Sequence, residues 1–165
     1  MVTSKDVYPL PRIDDILNQL SGKFVFSMLD ARTGYWQIKV HKASRKKTAF
    51  VMMDGLYESR VMPSGLCNTP VTFQRLMQKT LARLGAFCSL YIDDVIAFSQ
   101  SIEEHLDHLS QVFNRLRKVG LKLHPGKCQL AFPEIPYLGH IISAEIFHPI
   151  PTKLELWKSI HCQPM

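Results

Sequence analysis

The chain has 165 residues, 46% of them apolar, which suits one domain with a core of its own and argues against a disordered chain. A net charge of +6 and an isoelectric point near 9.2 favour a polyanionic partner. No apolar run approaches the roughly eighteen residues that a membrane-spanning helix needs, so a membrane role has no support.

Pro9 and Pro11 mark an extended lead-in, and Ile13, Ile16, Leu17 and Leu20 at helical spacing predict a short amphipathic helix ending near Gly22. Residues 24–30 read as an apolar strand ending in a carboxylate, with Asp30 on the same face as Phe26 and Met28, followed by the turn formers Arg32, Thr33 and Gly34. Residues 35–40 alternate as a strand, and 41–47 form a basic polar run, in which Arg45, Lys46 and Lys47 suit a solvated turn or contacts with phosphates. Residues 48–62 predict a hairpin turning at Asp54-Gly55. Thr69 as N-cap and Pro70 at the first helical position then open a helix whose Phe73, Leu76, Met77, Leu81 and Leu84 repeat at three and four, with Gly85 closing it.

The run from Leu90 to Phe98 would be one buried strand but for Asp93 and Asp94 at its centre. Ionised Asp is rarely buried unless paired or metal-bound, so the Asp-Asp step reads either as a hairpin turn reaching solvent or as a cation site. Beyond it, Ser101 and Glu104 form a capping box. The helix that follows carries Leu106, Leu109, Val112, Phe113 and Leu116 inward and stops at Gly120, with Arg115, Arg117 and Lys118 suiting its negative pole. Two strands over 121–124 and 127–132, joined by Pro125-Gly126, and a further one over 137–142 complete the pattern, with Gly139 allowing another backbone to come close. Cys67, Cys88, Cys128 and Cys162 are widely spaced, with no Cys-x-x-Cys pair and no signal sequence, and read as reduced thiols of an intracellular protein. His124, Cys128, His140, His161 and Cys162 lack zinc-site spacing.

Strands side by side would bring Asp30 close to Asp93 and Asp94. Like charges about 4 Å apart repel by roughly 4 kcal/mol per pair at an effective dielectric near 20, so such a cluster takes up a proton or binds a divalent cation. Hard oxygen ligands favour magnesium or manganese, and two ions on shared carboxylates are the usual device for in-line phosphoryl transfer.

Tyr91-Ile92-Asp93-Asp94, with Leu29-Asp30 upstream, resembles the Tyr-x-Asp-Asp box and first catalytic Asp of reverse transcriptases, most closely those of gypsy-type LTR retrotransposons. Further segments fit in the same order: Tyr8-Pro9-Leu10-Pro11-Arg12-Ile13-Asp14-Asp15, Gly34-Tyr35-Trp36-Gln37-Ile38, Lys47-Thr48-Ala49-Phe50, Met62-Pro63-Ser64-Gly65-Leu66-Cys67-Asn68-Thr69-Pro70, Thr72-Phe73-Gln74-Arg75-Leu76-Met77 and Tyr137-Leu138-Gly139-His140. The resemblance runs from Tyr8 to about Trp157. It implies an α+β fold, a polymerase palm with helices on one face of an antiparallel sheet around a ferredoxin-like core. The whole chain would be a single fragment, 1–165, of palm and partial fingers, without upper fingers, most of the thumb or RNase H.

The same resemblance implies an RNA-directed DNA polymerase adding deoxynucleotides to a primer on an RNA or DNA template. Asp30, Asp93 and Asp94 would be catalytic and would hold two Mg2+ or Mn2+ ions, Asp30 and Asp93 both ions and Asp94 assisting. Tyr35 would pack against the sugar and exclude ribonucleotides. Ser64, Gly65, Asn68, Thr69, Pro70, Phe73 and Gln74 would floor the nucleotide pocket, and Tyr91, Leu138, Gly139 and His140 would hold the primer end. Two departures stand out: a small Ser64 where the family carries a large residue, and Ile146-Phe147 where a Gly is usual. A truncated remnant that only binds nucleic acid, and a two-metal nuclease, are the rival readings.

Overall fold

The structure, a computed structural model, describes residues 4–9, 11–144 and 147–149; the expectations for Leu10, Ile146, Trp157, His161 and Cys162 lie outside them. A four-stranded antiparallel sheet organises the chain. Its strands are β1 (Val25–Asp30), β4 (Cys88–Tyr91), β5 (Asp94–Ser99) and β6 (Gln129–Phe132), in the order β4-β5-β1-β6. Helix α2 (Thr69–Leu81) lies between β1 and β4 in sequence, and α3 (Ile102–Lys118) between β5 and β6. The succession β-α-β-β-α-β with that strand order is the ferredoxin-like arrangement, as expected.

Period-two alternation splits the core between the two faces of this sheet. Leu29, Leu90 and Val95 meet Phe73, Met77 and Leu81 of α2 and Val112 and Leu116 of α3. On the other side Phe26, Ile96 and Phe98 meet Ile16 and Leu20 of α1 (Ile13–Leu20), together with Ile135, Tyr137 and Ile142. The last three belong to a separate sheet of β7 (Ile135–Tyr137), β8 (His140–Ile142) and β9 (Phe147–Pro149). With both faces covered, Val95 to Ser99 of β5 are buried without a break. The remaining strands, β2 (Phe50–Met52) and β3 (Gly55–Tyr57), form a hairpin apart from the main sheet.

Several local expectations shift. Residues 35–40 do not form a strand: Gly34–Gln37 is a 3-10 turn, and only Lys39 bridges, to Val61. Tertiary partners hold that turn. The Gln37 side chain donates to the carbonyls of Arg32 (2.6 Å) and Lys122 (2.9 Å) and accepts from the Lys122 amide at 2.7 Å. The basic run is likewise a 3-10 helix, Lys42–Thr48. In the β2–β3 hairpin Met52 pairs with Gly55, so the turn residues are Met53 and Asp54, one earlier than the Asp-Gly signal indicated.

Thr69 is the first helical residue rather than the N-cap, which is Asn68; the Thr69 hydroxyl, buried, donates to the Pro63 carbonyl at 3.3 Å. The strand predicted over 121–124 reduces to a bridge from Leu123 to Ala31. Residues 137–142 are not one strand but the turn and second arm of a hairpin. Leu138 (φ +49°) and Gly139 (φ +79°) make its turn, and among the described residues a Cβ on Gly139 would meet nothing within 4 Å, so this glycine serves the turn and not a close approach among them. In α3 the capping box forms, with the Glu104 amide donating to Ser101 Oγ at 3.2 Å, but the inward residue near its start is His105 and not Leu106. His105 is fully buried between Ser27 Oγ (2.7 Å) and Ser99 Oγ (2.8 Å), partners that come from β1 and β5.

Candidate functional site

Asp30 closes β1 and Asp94 opens β5, and the antiparallel register sets the two directly opposite each other. Opposed residues have Cα atoms about 4.5–5.5 Å apart with side chains on one face, so the pairing itself brings these carboxylates together. Asp93 lies one residue earlier, in the two-residue turn Ile92-Asp93 that joins Tyr91 to Asp94. The Asp-Asp step is therefore a tight hairpin turn, and its carboxylates converge on Asp30 all the same. Ile92 takes φ +54° there, a left-handed conformation that costs a β-branched residue on the order of 1–3 kcal/mol.

The segment after α3 cradles Asp30. The His124 amide donates to the Asp30 carbonyl at 2.9 Å, the Asp30 amide donates to Cys128 Sγ at 3.5 Å, and Lys127 Nζ lies 4.0 Å from Asp30 Oδ2. Asp30 and Asp93 then line one cleft of about 540 Å³ with Ala31, Thr33, Gly34, Tyr35, Trp36, Ser64, His124 and Lys127. His124 and Lys127 were not among the expected site residues. Lys127 carried no signal beyond a positive charge after a Pro-Gly turn, and the bridge of Leu123 to Ala31 with the hydrogen bonds to Asp30 brings it here.

Electrostatics couple the members of the cluster. Asp93 has its pKa raised, chiefly by loss of solvation and further by the Asp30 charge, while a hydrogen bond from Tyr35 opposes the shift. Burial raises Asp94 as well, with Asp93 and then Asp30 adding to it. The Tyr35 phenol, partly buried and donating to Asp93, is pushed up to about 12. Tyr137, whose hydroxyl donates to the Asp94 carbonyl at 3.4 Å, is raised by burial and by the Asp94 charge.

Among the described residues no three of His, Cys, Asp and Glu close into a metal cage. The donor chemistry nonetheless fits a hard divalent cation: oxygen ligands, and mutual repulsion that a cation would relieve. Magnesium is commonly held by one or two carboxylates plus substrate phosphates and water.

The other expected site residues divide. Tyr35 and Ser64 line the cleft, and Tyr35 meets Phe73 edge-on at 5.4 Å. Phe73 is fully buried and supports Tyr35 from behind; a Cβ on Gly34 would come within 3.1 Å of its ring. Gln74 is also fully buried, and its Oε1 accepts the Ile92 amide at 2.6 Å. Gly65 (φ +91°) sits in the exposed turn after Ser64, and Pro70 lies in the first turn of α2. The Asn68 side chain is engaged elsewhere: its Oδ1 accepts the Asp6 amide (3.1 Å) and its Nδ2 donates to the Ser4 carbonyl (3.0 Å). That N-terminal strap is pinned further by an Arg75–Asp6 ion pair at 2.5 Å. Tyr91 and Leu138 both pack against the second core cluster, and His140 Nδ1 lies 3.1 Å from the Leu138 carbonyl.

A family model described as reverse transcriptase (RNA-dependent DNA polymerase) matches residues 1–142. Among curated relatives, the retrovirus-related Pol polyprotein from transposon 297 of Drosophila melanogaster is 40% identical over 155 residues, covering 93% of this chain and 15% of that polyprotein. The enzymatic polyprotein of cauliflower mosaic virus (strain NY8153) is 37% identical over 137 residues, 83% of this chain and 20% of its own length. The chain thus spans a fifth or less of these two relatives. Two solved structures share its fold. A foamy viral protease-reverse transcriptase in complex with double-stranded DNA superposes with a TM-score of 0.84 at 23% identity, over 98% of this chain and 28% of that one. A foamy viral protease-reverse transcriptase in complex with an RNA/DNA hybrid gives 0.81 at 24%, over 94% and 21%. A match across most of the sequence, in a chain whose strand order sets two separated acidic segments face to face, makes this protein a member of the reverse transcriptase family.

Proposed function

We propose that the chain is the palm of a reverse transcriptase of a gypsy-type retroelement, adding deoxynucleotides to a primer 3′ end on an RNA or DNA template as part of a longer polyprotein. The observation that carries this reading is the shared cleft of Asp30 and Asp93, with Asp94 opposite Asp30 in the strand register. Asp30 and Asp93 would hold two divalent ions, with Asp94 assisting. When bound, such ions lower the pKa of the attacking hydroxyl and neutralise charge on the departing pyrophosphate.

The chain's own residues supply the rest. Tyr35, fixed by its hydrogen bond to Asp93 and its contact with Phe73, presents a ring wall to the sugar and leaves no room for a 2′-hydroxyl. Lys127 adds a cation beside the acidic pair, where phosphates would lie. Ser64 leaves the cleft wall opposite a bound nucleotide short. Phe73 and Gln74 act from behind the surface, so their expected direct contact with nucleotide becomes support. Tyr91 and Leu138, packed on a common cluster, provide the primer-side surface with Gly139 and His140. The exposed Lys46 and Lys47 extend the basic surface toward nucleic acid.

Primer extension with magnesium or manganese, comparing the chain with Asp93→Asn, tests this. Extension by the wild type and its loss in the variant is the expected result. Equal incorporation by both removes the metal role of Asp93. Cleavage of the primer-template without added nucleotide would point to a nuclease, and salt-sensitive binding without turnover to a remnant.

A further inference from the structure

Gln74 is the least economical residue of the α2 core. It is fully buried on a helix that also buries Thr69, Phe73, Met77 and Leu81, and among the described residues its Nε2 has no hydrogen-bond partner. A leucine or methionine would fill that space without stranding a buried donor, so packing does not account for an amide here. What it does supply is one acceptor, Oε1, on the amide of Ile92 at 2.6 Å.

That amide belongs to the peptide whose rotation sets φ of Ile92, and φ there is +54°, where a β-branched residue is strained. Nothing in the side chain of Ile92 favours this conformation; hairpin turns that need it use glycine, asparagine or aspartate. Holding the Ile92 N–H in place blocks the peptide rotation that would return φ to negative values. The same rotation would swing the next residue, Asp93, out of the cleft that it shares with Asp30. The hydrogen bond therefore restrains, from inside the core, the direction in which an exposed carboxylate points.

We propose that Gln74 is a positioning residue that locks the Ile92-Asp93 turn in its left-handed form and so aims Asp93 at the cleft. This rests on the reading of Asp93 as a cation-holding group, and it makes Gln74 act through the turn instead of on the nucleotide. The turn and the chemistry are separable, which lets the test address each.

The test uses the full chain with Gln74→Leu, with Gln74→Met where leucine packs badly, with Gln74→Glu, which retains an acceptor, and with Ile92→Gly added to Gln74→Leu. The first readout, independent of activity, is hydrogen exchange at the Ile92 amide. Exchange should quicken at least tenfold in Gln74→Leu or Gln74→Met and stay near wild type in Gln74→Glu. The second is Mn2+ affinity, expected to weaken severalfold in the same variants. If the chain extends primers, kcat should fall on the order of tenfold to a hundredfold, as expected for a misplacement of about 1 Å, with KM for the nucleotide within about twofold. Ile92→Gly in the Gln74→Leu background should restore part of kcat and of Mn2+ affinity, since glycine adopts positive φ without strain. Unchanged Ile92 exchange overturns the proposal whatever the activity. Faster exchange with unaltered Mn2+ binding and kcat leaves Gln74 a structural residue and equally overturns it. A wild type without extension activity sinks the polymerase reading alone, because exchange and Mn2+ binding still decide the role of Gln74.

Discussion

Replacing Asp93 with Asn should make the metal-free protein more stable while abolishing the proposed primer extension. Asp30 and Asp94 face each other in the strand pair, and the Asp93 charge acts on both. Two unit charges about 6 Å apart repel by about 3 kcal/mol at an effective dielectric near 20. Solvent exposure and salt reduce the net gain from neutralising Asp93 to about 1 kcal/mol. Asparagine keeps an oxygen for the Tyr35 hydroxyl, so that bond survives. The pH sense follows from the raised pKa values of Asp93 and Asp94: their protonated forms are favoured in the fold, so stability is greatest below the ordinary carboxylate range and falls as pH rises through their folded values. The variant should show a shallower fall. Magnesium should reverse the ranking. A site filled at about ten times its Kd adds about 1.4 kcal/mol to the wild type and much less to the variant. Urea unfolding near neutral pH, with and without magnesium, measures all of this. A variant less stable than wild type in the absence of metal, or equal magnesium increments in both, would refute the reasoning.

Two further outcomes follow from the core. Burial, and then the neighbouring His108, lower the pKa of His105, so the stability it contributes is present above the unfolded value near 6.5 and lost as pH falls below it; the unfolding midpoint should drop on acidification, and a His105→Gln variant whose midpoint falls as steeply would show that another group is responsible. Phe73→Ala, at a fully buried ring, should cost about 3–5 kcal/mol in urea unfolding and free Tyr35 from its edge contact, whereas a loss under about 1 kcal/mol would mean that the ring is not part of the close-packed core.

Local chemistry was well encoded in the chain. Helical spacing placed α1 and α2, the Ser101–Glu104 box and Gly120 bounded α3, and apolar runs marked β1, β4 and β5, because each of these depends on residues within a few positions of one another. The three acidic residues were legible for the same reason, as charges interrupting or ending strands. The errors fell where a distant partner overrode the local signal. Residues 35–40 alternate like a strand, yet Gln37 pairs with Lys122 and Tyr35 turns in against Phe73. Leu106 was the expected inward residue of α3, yet Ser27 and Ser99 offer His105 two hydrogen bonds inside the sheet-helix interface.

The sequence by itself determined which residues carry charge, which segments supply the apolar faces of the main sheet and where α1 and α3 begin and end, since propensity and periodicity act along the chain; α2, expected to run to Gly85, stops at Leu81. Only the tertiary structure decided that Asp30 stands opposite Asp94, that Lys127 and His124 border the cleft, and that Gln74 reaches the Ile92 amide. Those facts depend on the order in which strands lie side by side, and strand order follows from how two helices and two separate core clusters share one sheet.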